Sequence, residues 1–145
     1  PTVQGKKQSP LATAYANRTI TLETNRYGWQ HLHLLFGPKE VNLKIDDKNG
    51  TSHILPFGYK QWLTGTINAY TPYSITPVGS FNGLEKTFHV AGSYAWLPTD
   101  DLQLKVHYVD WISALDITFH FNGNNVTLTV KENFSTNETI LKGKF

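Results

Sequence analysis

Asp100 and Asp101 stand side by side in "SYAWLPTDDLQLKVHY", residues 93 to 108. General acid and base catalysis needs carboxylates that approach a substrate from different environments, so that one is protonated while the other is not. Two neighbours between alternating apolar stretches do not meet that need. Pro98 pre-sets a turn backbone, and an aspartate there can accept hydrogen bonds from nearby backbone amides. The stretch therefore predicts a hairpin with Trp96 opposite Leu102, Tyr94 opposite Leu104 and Gly92 opposite Val106. Residues 97–101 form its five-residue loop.

The six histidines are the other residues that could do chemistry. His31 and His33 share a strand face, and such a pair grips zinc when a third ligand converges. His89, His107 and His120 fall on the polar faces of their strands. No spacing of histidines and carboxylates completes a site, so we expect solvated histidines, no metal and no cofactor. No Gly-x-Ser-x-Gly elbow supports a serine triad, and no catalytic residue is expected in this chain.

The four tryptophans and seven tyrosines raise the question of binding. Tyr94, Trp96 and Tyr108 sit on the apolar parity of their strands and are expected in the core. Trp29, Trp62, Trp111 and Tyr73 are the candidates for contact with a ligand or a neighbouring domain. Of these, Trp62 and Trp111 lie where patterning is weak and an exposed aromatic could anchor an interface.

Antiparallel strands must position these groups. Leu102, Leu104, Val106 and Tyr108 alternate with polar residues, as do Leu115, Ile117, Phe119 and Phe121, and then Val126, Leu128 and Val130. Phe88 to Trp96 reads the same way, as do Ile20 and Leu22, Leu32 to Phe36, Val41 to Ile45, and a shorter stretch from Ile54 to Phe57. No segment shows a helical period. Asn122-Gly123 is a strong hairpin signal. It would set Phe119 opposite Val126 and Ile117 opposite Leu128, and a loop at Gly123-Asn124 would preserve the same faces. The fold class is all-β: an antiparallel barrel of about eight strands, with a β-sandwich as the alternative. Residues 1–13 are polar, carry two prolines and look like a linker. Residues 14–145 form the barrel domain. The irregular stretch 71–83 is either a loop over one end or only a connection.

A chain of 145 residues buries roughly 70% of its unfolded surface and folds without staples. Without cysteine it has no disulfide, no thiolate zinc site and no iron–sulfur cluster. Thirteen basic against eleven acidic residues leave a net charge of +2, too mild to point to nucleic acid. No apolar run approaches the roughly 18 residues of a membrane helix. The chain starts at Pro1 and lacks methionine, so we expect a piece of something longer or a processed product.

With the strands laid out, "ETNRYGWQHLHLLFG", "AGSYAWLPTDDLQLKVHYVDW" and "DITFHFNGNNVTLTVKEN" resemble the C-terminal accessory domain of serine hydrolases of the β-lactamase and penicillin-binding-protein family. The likeness runs from about Asn17 to Asn133. It centres on Asn25-Arg26-Tyr27-Gly28, on Gly92 to Trp96 and on Phe119 to Val130. It implies a lipocalin-like barrel that packs on, or regulates, a catalytic domain upstream in the same chain. It also implies a secreted or membrane-anchored bacterial protein, extracellular or in the cell envelope, in contact with envelope material. The family's chemistry does not carry over. Ser-x-x-Lys and Lys-Thr-Gly are missing, and Tyr15-Ala16-Asn17 matches Tyr-x-Asn without its partners. Two other readings stand beside it: a free-standing barrel that binds a small apolar ligand, and a carbohydrate-binding module.

Asn-x-Ser/Thr sequons begin at Asn17, Asn49, Asn125, Asn133 and Asn137, where composition alone gives about two. In a secreted eukaryotic protein they would carry glycans. In a bacterium they reflect only richness in asparagine and threonine.

Overall fold

The computed structural model describes residues 1–69, 86–109, 113–133 and 136–145. A short helix, α1 (Pro10–Tyr15), precedes ten strands: β1 (Thr19–Leu22), β2 (Trp29–Phe36), β3 (Glu40–Asp47), β4 (Ser52–Tyr59), β5 (Leu63–Ala69), β6 (Lys86–Trp96), β7 (Leu102–Tyr108), β8 (Ser113–Asn122), β9 (Asn125–Glu132) and β10 (Glu138–Lys144). The order around the sheet is β4-β3-β2-β1-β10-β9-β8-β7-β6, with β5 beyond β6, and β6 returns to β4. Nine strands therefore close a ring. The expected barrel is present and the sandwich is not. The ring has one strand more than the expected count of about eight, because β10 alternates too weakly to be read, and β5 stands beyond the ring.

Strict period two builds the wall. The apolar members of each pair point inward, so Leu32, Leu43, Leu55, Leu104, Ile117 and Leu128 meet in one continuous core. The hairpin over residues 97–101 has the expected register, with Trp96 opposite Leu102, Tyr94 opposite Leu104 and Gly92 opposite Val106. The next hairpin does not take the Asn122-Gly123 loop. Asn122 pairs with Asn125 and Phe119 with Leu128, so Gly123 and Asn124 turn the chain, with Gly123 at φ 63°. The two-residue shift keeps every face. It lengthens the strands so that Phe121 can stack on Tyr15 and face Phe145.

Two joints of the ring are narrow. β1 meets β10 at Thr21–Lys144 and Leu22–Gly143. β4 meets β6 in a short parallel pairing at Gly58–Ser93 and Tyr59–Tyr94. The chains approach closely at this second joint. A Cβ on Gly92 would lie 2.0 Å from the Pro56 carbonyl oxygen, so only glycine fits there.

Residues 1–13, read from their polarity as a linker, lie along the barrel. Lys6 and Trp96 exchange both backbone bonds at 2.8 Å. The Val3 amide donates to Ser93 Oγ at 3.0 Å, and Tyr59 donates to the Gly5 carbonyl at 3.0 Å. Ser9 caps α1, accepting from the Leu11 amide, with Pro10 in the first turn. Polarity misleads here because the backbone of the segment, more than its side chains, is what binds. Tyr15 then stacks on Phe121 and Phe145, with ring centroids 4.6 and 4.7 Å away. Its hydroxyl donates to the Gly123 carbonyl at 3.0 Å. Arg18 lies over Phe145 at 4.5 Å. One end of the barrel is thus closed by α1 and an aromatic stack.

Candidate functional site

The paired aspartates belong to that closed end and are structural. Asp100 takes φ 61°, which aspartate tolerates, and accepts from Ser9 Oγ at 3.1 Å. Asp101 accepts from Thr99 Oγ1 at 3.0 Å, and His120 Nδ1 lies 2.7 Å from its other oxygen. The two carboxylates fasten the turn to the N-terminal segment and to β8.

The histidines lie on or near the wall. His33 Nε2 is 3.2 Å from Asp46 Oδ2, and Ser52 donates to Asp46 Oδ1 at 2.6 Å. Serine and imidazole share one carboxylate, so the imidazole is not placed to take the serine proton. Ser52 and His33 hold the Asp46 carboxyl below its ordinary value, with the Ser52 bond the largest cause. Burial pushes His107 below its ordinary value, helped by Lys105. Among the described residues, no three of His, Cys, Asp and Glu could hold a metal ion.

The opposite end of the barrel is built differently. Asn25 shapes the turn between β1 and β2. Its Oδ1 accepts from the Tyr27 and Trp29 amides at 3.1 and 3.3 Å, and its Nδ2 donates to the Glu23 and Trp29 carbonyls. That turn stacks Tyr27 on Trp29 at 4.8 Å. It also delivers the Tyr27 hydroxyl to Glu132 Oε1 at 3.0 Å. Arg26 Nη2 lies 3.6 Å from the same oxygen, and the guanidinium sits over the Tyr27 ring at 5.4 Å. Burial raises the Tyr27 phenol above its ordinary value, and Glu132 adds to the rise.

Glu132 continues the inward parity of Val126, Leu128 and Val130 and is 8% exposed. Sequence reasoning missed it because a carboxylate at a strand end reads as a solvated cap. The parity itself was the available signal. Opposite Glu132 on β8 is Leu115. Two residues along the same face stands Ser113, opposite Tyr108 of β7. Such diagonal neighbours lie about 7–8 Å apart. Ser113 is 3% exposed, and its hydroxyl is buried with no hydrogen-bond partner among the described residues. His53 and Asp47 add a further inward pair at this end, 3.4 Å apart. The apolar core therefore ends here in a set of polar groups, one of them unpaired.

Of the sequence candidates, Trp29 is 9% exposed and borders this end from within, so it cannot anchor an outside partner. Trp62 lies on the outer wall, half-buried and edge-on to His107 at 4.8 Å. The two are not brought together. Trp111, Tyr73 and the irregular stretch 71–83 lie outside the described residues. Tyr94, Trp96 and Tyr108 are buried, as expected.

No protein-family model matches the chain, and no curated protein matches it. Among solved structures it is similar to one described as "Crystal structure of a secretary abundant heat soluble (SAHS) protein from Ramazzottius varieornatus (from dimer sample)". The TM-score is 0.56 at 12% identity, over 99% of this chain and 98% of that one. At that identity the likeness speaks for the fold, and the fold is a lipocalin-like barrel.

Proposed function

We propose that the chain is a non-catalytic binding barrel that takes a small, largely apolar molecule at the end opposite α1. The observation that carries this is the buried hydroxyl of Ser113, which finds no partner among the described residues where the apolar core meets polar groups. An unpaired buried hydroxyl costs free energy, and a ligand polar group would relieve that cost. Tyr108 and Glu132 stand near it on the same inner face, and Trp29 is close enough to Tyr27 to report on the site by fluorescence.

The test is a melting scan with apolar probes bearing different heads: dodecanol, dodecanoate and dodecylamine. Ligand that binds the folded chain raises its melting temperature in a saturable way. A saturable rise with at least one probe, weakened by Ser113→Ala, is expected. No rise with any probe would sink the reading.

The resemblance supports a second reading, an accessory module resting on a larger enzyme. Ile54 is 52% exposed and Leu35 38% exposed, an apolar offering on the outer face of β2 and β4. The length of the native product in its source cells decides this one. A native product no longer than this chain removes it.

A further inference from the structure

The sequons gain meaning from where the fold places them. Asn49 lies in the turn between β3 and β4, and Asn137 lies just before β10. Asn17 follows α1 in the left-handed region, at φ 58°. Asn125 opens β9 beside Gly123, which Tyr15 contacts. All four side chains are exposed, and their Thr19, Thr51, Thr127 and Thr139 complete the motif. Asn133 is exposed as well, though its sequon runs to Ser135, beyond the described residues. Asn25 and Asn42, which lie in no sequon, are half-buried. Asn25 is also bonded on both sides of its amide.

A glycan is bulky and solubilising, and it demands an asparagine that opens onto solvent. The four sites meet this demand at both rims of the barrel. Asn17 and Asn125 flank the end closed by α1. Asn49 and Asn137 flank the end with Glu132. A glycan at any of them would extend into solvent without touching the core.

We infer that Asn17, Asn49, Asn125 and Asn137 are N-glycosylation sites. The donor is a lipid-linked oligosaccharide diphosphate. The bond from the sugar anomeric carbon to the phosphate oxygen breaks, and one from that carbon to asparagine Nδ2 forms. The amide gives up one proton, and the lipid diphosphate leaves. No oxidant or reductant is needed.

The experiment uses the native protein from its source, before and after a peptide-N-glycosidase that converts each occupied asparagine to aspartate. A drop in apparent mass on the gel is expected, with aspartate at these positions by peptide mass spectrometry. In a eukaryotic secretory host, Asn49→Gln and Asn137→Gln, both in exposed turns, should each remove one step of the glycan ladder. A native chain whose intact mass equals that of the bare polypeptide overturns the inference. So does a glycosidase-insensitive chain with unmodified asparagine at all four positions. Either result leaves the binding proposal standing, since that proposal concerns the interior.

Discussion

Tyr27 and Glu132 are 105 residues apart in sequence and joined by a 3.0 Å hydrogen bond, the phenol donating to the carboxylate. The bond ties the turn after β1 to the last residue of β9, across the short β10. A hydrogen bond to a charged group contributes about 1.5–3 kcal/mol. Tyr27→Phe should therefore lower stability by about 1–2 kcal/mol, since this tyrosine is half-buried and water can replace part of the bond. Denaturant unfolding measures it, and an unchanged midpoint would show that the pair contributes nothing.

Alkaline pH should unfold the protein through its buried phenols. Tyr27 and Tyr94 both ionise above the ordinary 10.0, and burial is the main cause for each. A raised folded value means that the unfolded chain loses the proton first. The stability from these neutral phenols is fully present below about pH 10 and is lost as pH climbs through the folded values. Tyr94→Phe should flatten that alkaline limb while leaving the neutral range less affected. The phenol absorbance titration of wild type and variant checks the order of events. Ionisation of every tyrosine before any loss of fold would contradict it.

Ser113→Ala is expected to stabilise the ligand-free chain. It removes a hydroxyl that is buried with no partner among the described residues, and relief of such a group is worth about 1 kcal/mol or more. The same change should weaken binding of the probe that wild type prefers. A variant that melts lower than wild type would mean that the hydroxyl is paired in solution.

Gly92→Ala should be among the most damaging single changes. The added methyl would meet the Pro56 carbonyl oxygen and the Phe57 ring, both in β4, where backbone cannot step aside. Overpacking of this kind costs about 1–3 kcal/mol and more when backbone must move. Thermal melting tests it. Gly123→Ala serves as the comparison, because a Cβ at that exposed turn meets no neighbour and only the left-handed backbone is strained.

Much of the wall was legible before the structure. Leu102 to Tyr108 begins and ends where alternation says, and the Trp96–Leu102 register follows from matching faces. Three things were not legible. β10 escaped because Gly143 takes an inward place against Ile20 and Leu22 while Ile140 points out to solvent. α1 escaped because six residues give no full helical period, though Ser9 and Pro10 announce its start. The candidate site escaped because it depends on Ser113 and Glu132 continuing inward parities, and an inward polar residue at a strand end looks like an ordinary terminus. The Asp100–Asp101 pair was resolved correctly as a turn, since its neighbours on both sides declare strands.

The two narrow joints divide the ring into a meander of β1 to β4 and a meander of β6 to β10, each made by neighbours in sequence. The first has no wall to face until the second exists, and its joint to β10 waits until all the strands between them have been made. Synthesis therefore delivers half a barrel with its inner face open, and for that interval Leu32, Leu43 and Leu55 lie in water. Such a chain is most exposed to aggregation while it is still on the ribosome. Long-range closure of this kind folds slowly even when the finished barrel is stable.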